Sequence, residues 1–197
     1  MKSNIKKSII VIVSFAVCYL LFQLTIIKTA SEGNWTVFGY LAKLVAGDNE
    51  ILRVTLRALM TCIFPLGTIL VICKGKNPFE CWGVSRGFVR GWCVGLLCVL
   101  PMLILNGIFG HPVLSWQKLI IGAVLAGLWE ELIFRGFLFG LLFRYCNWGF
   151  VWAALPTTVI FTLGHFYQAH DLMSGLMVFG VTALGSLFFS GTVLKSV

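Results

Sequence analysis

Charge is what this 197-residue chain lacks: only 11% of its residues are Asp, Glu, Lys or Arg, and just 7 are acidic. A soluble domain carries about 25%, so too few charged side chains are present to coat a water-facing surface. An ordinary cytosolic globule is excluded. There is no repeat of fixed period and no low-complexity tract, and with 59% hydrophobic residues a disordered chain is excluded too. The seven cysteines stand singly (Cys18, Cys62, Cys73, Cys81, Cys93, Cys98 and Cys146) with no CxxC pair. Neither a disulfide framework nor a cysteine zinc site is indicated, and they read as small hydrophobes packed between helices. The formal charge of +8 does not make a nucleic-acid binder. Its basic residues fall in short clusters between apolar runs, the pattern of membrane topology and not of a phosphate-binding face.

What the chain has in abundance is apolar length, with a mean hydropathy of +0.96. A membrane-spanning helix needs about 20 mostly apolar residues. Six stretches qualify: Ile9–Ile27, Val54–Ile72, Phe88–Phe109, Leu119–Phe143, Phe150–Phe166 and Leu172–Phe189. The first follows Lys2, Lys6 and Lys7 in the manner of a signal peptide. Its apolar run exceeds the 7–15 residues or so of a signal core, and no A-x-A site follows, so it reads as an uncleaved span. The expected fold is an all-α, polytopic transmembrane helical bundle, because backbone exposed to lipid must satisfy its hydrogen bonds within its own segment. It divides into N-terminal transmembrane helices over 1–113 and a core over 114–197. The connection Lys28–Arg53 holds Trp35, Phe38, Tyr40, Leu41 and Leu44 and is expected to lie partly in the interface. With the N-terminus inside, nine basic residues fall on the cytoplasmic ends and five on the outer ends, which favours a cytoplasmic N-terminus in the cell membrane. Arg53 and Arg57 begin the second span and are expected to snorkel to its edge. Gly136 with Gly140 and Gly122 with Ala126 have helix-packing spacing. Trp129, Trp148 and Trp152 read as interface anchors or packing residues.

The fourth span carries the exceptional feature, Trp129-Glu130-Glu131-Leu132-Ile133-Phe134-Arg135. Ionisable groups within a spanning helix cost roughly 2.5–3.5 kcal/mol each even on lenient scales, so they persist where they face the bundle interior and serve a purpose. Glu131 and Arg135, four apart on one helix face, are expected to form an ion pair. Glu130 points about 100° away and is left uncommitted. A carboxylate in a low dielectric has a raised pKa and becomes a usable general base near neutrality. The bland alternative is a buried ion network that fixes helix packing, which would not require two glutamates for one arginine. The fifth span ends in Phe161-Thr162-Leu163-Gly164-His165. Counted from the turn near Arg144–Trp148, Glu130 and His165 lie roughly 21 and 25 Å along adjacent antiparallel helices at about 1.5 Å per residue. Glu130 and His165 therefore share one depth, which is the start of a water-activating or a metal site.

Glu130-Glu131-xxx-Arg135 followed by Phe161-xxx-His165 resembles the first two motifs of the CPBP family. These are membrane-embedded proteases related to the CAAX prenyl endopeptidases and to bacteriocin-processing and self-immunity proteins. The resemblance covers about Lys118–Phe189. It implies that Glu130 is the catalytic glutamate that activates water and that Glu131, Arg135 and Phe161 are structural companions. It implies that His165 binds metal, with Glu130 as a second ligand to a zinc ion, or stabilises the oxyanion. The implied activity is endopeptidase cleavage of a membrane-associated peptide or a prenylated or bacteriocin-like substrate, with lipid as the constant partner. The family's third motif, a histidine with asparagine or aspartate four residues later, is not found before Val197. A catalytic zinc takes three protein ligands, and His111, His170 and Asp171 are the remaining candidates. The chain as it stands is therefore expected to turn over peptides poorly. The alternative is a non-catalytic immunity or scaffold protein of the same fold. A transporter is disfavoured because the buried charges cluster at one locus and line no path.

Overall fold

The computed structural model describes residues 2–25, 27–29, 33–84 and 125–194, together with the isolated positions 100, 104, 108 and 121. The expected span Phe88–Phe109, the start of Leu119–Phe143, Gly122, Cys93, Cys98 and His111 thus lie outside the described residues or at their margin.

The described chain is built from helices, with one short ribbon. Helix α1 (Lys2–Gln23) leads into a two-stranded antiparallel ribbon, β1 (Ile27–Thr29) and β2 (Gly33–Trp35), in which Ile27 pairs with Trp35. The expected first span ran to Ile27, and the helix in fact stops at Gln23. Hydropathy is continuous across this boundary, but Thr25 and Ile27 are β-branched residues that suit extended backbone. At the other end the long side chains of Lys2, Lys6 and Lys7 are good helix formers and join α1.

Helix α2 (Val37–Ala46) is capped by Thr36, whose hydroxyl accepts from Gly39 N at 3.1 Å. Helix α3 (Glu50–Ile72) is capped by Asn49, which accepts from Leu52 N at 3.0 Å. Each cap satisfies one of the four amide groups that a helix start leaves without an internal partner. Helix α4 (Pro78–Trp82) is a short turn with Asn77 as its cap and proline at the first position, where its missing N–H costs nothing. Helix α5 runs continuously through Ala126–Glu130, Glu131–Phe139 and Gly140–Arg144. Helix α6 (Phe150–Leu163) is followed by a single 3-10 turn (Phe166–Gln168), and α7 spans Leu172–Leu194.

Four segments among the described residues are long and apolar enough to cross a bilayer: Asn4–Gln23, Glu50–Ile72, Phe150–Gln168 and Leu172–Gly191. Their outer faces bear exposed Leu59, Ile63, Val181 and Leu184. That surface is stable when lipid covers it.

Helices α1 and α3 are antiparallel, joined by Ser14 Oγ to Phe64 O at 3.3 Å and by Cys18 Sγ to Thr61 O at 3.1 Å. Helix α5 lies against both. Phe134 meets Phe15 edge-on at 5.6 Å between centroids, and Phe137, Phe139, Leu141 and Leu142 are fully buried. Arg57 departs from expectation. It does not snorkel outward but turns in, donating through Nη2 to Phe22 O at 2.8 Å and lying 3.9 Å over the Phe22 ring. The pull is the set of unpaired carbonyls at the end of α1, for which a guanidinium is an apt partner. The cysteines Cys18, Cys73, Cys81 and Cys146 are buried, as expected of small apolar residues.

Candidate active site

Helix α5 changes its hydrogen bonding where its charges sit. Glu131–Phe139 is a π-helix, in which each carbonyl is bonded five residues on instead of four. The expected 100° step between Glu130 and Glu131 presumed an unbroken α-helix, so this is a correction of the local backbone. Side-chain support comes from α4. Trp82 Nε1 donates to Leu132 O at 2.9 Å, while Gly136 bares the backbone beside it. A Cβ on Gly136 would stand 2.7 Å from Trp82 O. The close approach expected of the Gly136–Gly140 pair is thus made to Trp82 at Gly136, and at Gly140 to the Arg144 guanidinium of the same helix.

The two glutamates serve different partners. Glu131 Oε1 lies 3.2 Å from Arg135 Nη1, the pairing expected from their spacing. The Arg135 side chain is 4% exposed against 47% for Glu131, so the arginine is the buried member. Its guanidinium sits 4.2 Å over the Phe161 ring of α6, which shelters the charge by cation–π attraction.

Glu130 faces the other way, toward α6. Its Oε1 lies 3.7 Å from His165 Nε2, just beyond the helical end of α6. His165 Nδ1 is 2.8 Å from Phe161 O. A carbonyl can only accept, so Nδ1 carries a proton and Nε2 is the ring atom turned to Glu130. The two atoms face one another across a gap too wide for a direct hydrogen bond. The arrangement calls for a proton-bearing group between them, either a water that donates to both or a proton held by one of the pair.

Neighbouring residues fix this geometry. Trp129, next to Glu130, donates through Nε1 to Thr61 Oγ1 at 2.7 Å and stacks on Phe22 at 4.3 Å between centroids. Gly164, next to His165, is closely approached by the Tyr19 hydroxyl, 3.2 Å from where its Cβ would be. Sequence reasoning did not find Arg57, Thr61, Trp82 or Tyr19 in these positions. None carries a local signal, because each acts through a contact between segments far apart in the chain.

The Asp171 carboxylate is engaged elsewhere, and His170 joins the same turn through its backbone. Asp171 Oδ1 accepts from Ser174 N at 2.7 Å, and the backbone N–H groups of His170 and Asp171 both reach Ser174 Oγ, closing the start of α7. These exposed contacts hold Asp171 below the ordinary aspartate range, through the Ser174 backbone N–H first and its hydroxyl second. Among the described residues no three His, Cys, Asp or Glu side chains converge as a metal site. Glu130 and His165 offer two donors, and Glu131 is turned to Arg135. The described donor set is one short of a catalytic zinc site.

An integral-membrane helical bundle with a glutamate–histidine pair held between two of its helices is the class that fold and site define. Residues 112–196 match the family model of type II CAAX prenyl endopeptidase Rce1-like proteins, and that stretch holds the two motifs that resemble those of the CPBP intramembrane proteases. Glu130, Glu131, Arg135, Phe161 and His165 all fall inside the match. No curated protein and no solved structure matches the chain.

Proposed function

We propose that this protein hydrolyses peptide bonds of a membrane-anchored peptide, using Glu130 to take a proton from water and His165 to orient that water. The observation that carries the reading is the 3.7 Å approach of Glu130 Oε1 to His165 Nε2, with the imidazole oriented by its bond to Phe161 O. Glu130 accepts a proton as the water oxygen attacks the carbonyl carbon of the substrate. The same proton, delivered from Glu130 to the departing amine, completes the cleavage and restores the carboxylate. His165 accepts from that water through Nε2 and so holds it in line with the carbonyl, while its Nδ1 proton stays hydrogen-bonded to Phe161 O. Glu131 and Arg135 anchor the helix that presents Glu130. No step here is routed through a metal, since the described donors number two.

The family match supports a substrate that is itself lipid-anchored, of the prenylated class, reached laterally from the bilayer. The reading includes residence in the cell membrane with lipid as partner and the N-terminus cytoplasmic, supported by the lysines at the start of α1. The shortage of oxyanion donors among the described residues favours slow turnover. It also keeps a second reading, a non-catalytic immunity or scaffold protein that binds a peptide in the same place. Reconstitution in lipid and assay of a lipid-anchored peptide separates the two, with Glu130→Gln and His165→Ala as variants. Loss of cleavage in both supports hydrolysis, and cleavage that survives Glu130→Gln rejects it.

A further inference from the structure

At the far end of α5 from Glu130, the turn into α6 is enclosed by basic residues from separate stretches of the chain. Trp148 Nε1 donates to Ser8 Oγ at 2.9 Å, which sets the start of α1 against one side of the turn. Lys7 stands beside that contact. Burial raises the Cys146 thiol, and the Ser8 hydroxyl and the Lys7 ammonium pull it back down. On the other side Tyr145 Oη donates to Cys81 Sγ at 3.2 Å, and Lys76 Nζ lies 5.4 Å over the Tyr145 ring. Two lysines remote in sequence thus flank one turn.

Arg144, which closes α5, completes the group. Its Nε donates to Gly140 O at 3.2 Å, and its Nη2 has no hydrogen-bond partner among the described residues. The guanidinium lies against the exposed Gly83, at φ +84°, where a Cβ would stand 3.3 Å from Nη2. Glycine accepts that backbone freely and sets no side chain over the cation.

Negative charge is scarce here. Glu80 is the one acidic residue that the described chain places at this end, and residues 85–124 contain no Asp or Glu. Among the described residues no carboxylate pairs with Lys6, Lys7, Lys74 or Lys76. Like charges gathered in this way repel one another unless an anion joins them. The same end carries exposed apolar side chains, Ile5 and Ile9 on α1 and Phe79 on α4.

We propose that this end of the bundle binds an anionic phospholipid, its headgroup phosphate held by Lys7, Lys76 and Arg144. A guanidinium with an unused donor and two ammonium groups suit phosphate oxygens. Tyr145 and Trp148 lie at the depth where aromatic side chains meet headgroups. The occupant is a lipid and not free phosphate because the cations sit where α1 begins and α3 and α5 end. Acyl chains cover Ile5, Ile9 and Phe79 while the headgroup meets the charges. This binding is independent of the hydrolytic reading.

The test is a titration of phosphatidylglycerol into the full chain in micelles of an uncharged detergent, with bound lipid counted by native mass spectrometry. Phosphatidylglycerol should bind saturably and phosphatidylcholine should not, and added salt should weaken the binding. The Kd should rise about 5-fold in Lys7→Gln or Lys76→Gln and about 30-fold in the double variant. Both lysines are at least partly exposed, so the core is spared. Lys7→Arg with Lys76→Arg keeps the charge and should keep the lipid, as should Lys43→Gln on α2. Equal binding of the two lipids overturns the proposal. So does an unchanged Kd in the double glutamine variant, loss of binding in the arginine pair, or displacement of phosphatidylglycerol by inorganic phosphate.

Discussion

The guanidinium of Arg135 lies 4.2 Å over the ring of Phe161, and the carbonyl of that same Phe161 lies 2.8 Å from His165 Nδ1. One residue of α6 therefore steadies the charged helix α5 with its ring and fixes the histidine with its backbone.

Replacing Phe161 by Leu removes the ring and keeps the carbonyl. The expected outcome is a loss of about 0.5–2 kcal/mol from the cation–π contact, read as a lowered thermal midpoint in detergent micelles. Arg135→Lys is expected to cost at least as much, because an ammonium lacks the planar fork that meets Glu131 and the flat face that lies on the ring. Equal stability of Arg135→Lys and the unaltered protein would show that the stacking contributes nothing.

Trp82 is expected to support the π-helical turn that carries the charges. Trp82→Phe keeps most of the ring and removes the bond to Leu132 O, at a cost of about 0.5–1.5 kcal/mol. Gly136→Ala sets a methyl 2.7 Å from Trp82 O and forces the two helices apart, with an overpacking cost of about 1–3 kcal/mol. Thermal unfolding of both variants checks the order, and a milder effect for Gly136→Ala than for Trp82→Phe would contradict it.

Asp171 supplies a pH dependence whose direction follows from its contacts. The bonds from Ser174 favour the carboxylate, so the folded-state pKa lies below the unfolded value. The contribution is present above the unfolded aspartate value and lost as pH falls through the folded one. Hydrogen exchange at the first turn of α7 should therefore quicken in strong acid, and Asp171→Ala should show the quick exchange at neutral pH. Protection at Ser174 unchanged in Asp171→Ala would contradict the capping role.

The pairings of the site were legible because they follow from spacing alone. Glu131 and Arg135 meet at a separation of four, and Glu130 meets His165 because two antiparallel helices leave one turn in opposite directions. The all-α class was legible from apolar length and scarce charge. Other features were hidden for stated reasons. The end of α1 at Gln23 is invisible to hydropathy, which runs on unbroken to Ile27. The π-helix lies where Leu132 O meets Trp82 Nε1, 50 residues away, and the inward turn of Arg57 meets the carbonyl of Phe22, 35 residues away in sequence. Contacts of this kind are written in no local pattern.

The most direct test of the central claim is the rate of peptide cleavage by the chain reconstituted in lipid, compared with Glu130→Gln in the same bilayers. Slow but measurable cleavage is expected, falling by about 10²–10⁴-fold in the variant, the usual worth of a positioned general base. The variant should keep the thermal midpoint of the parent. Cleavage undiminished in Glu130→Gln, or none by the unaltered chain, would contradict the account.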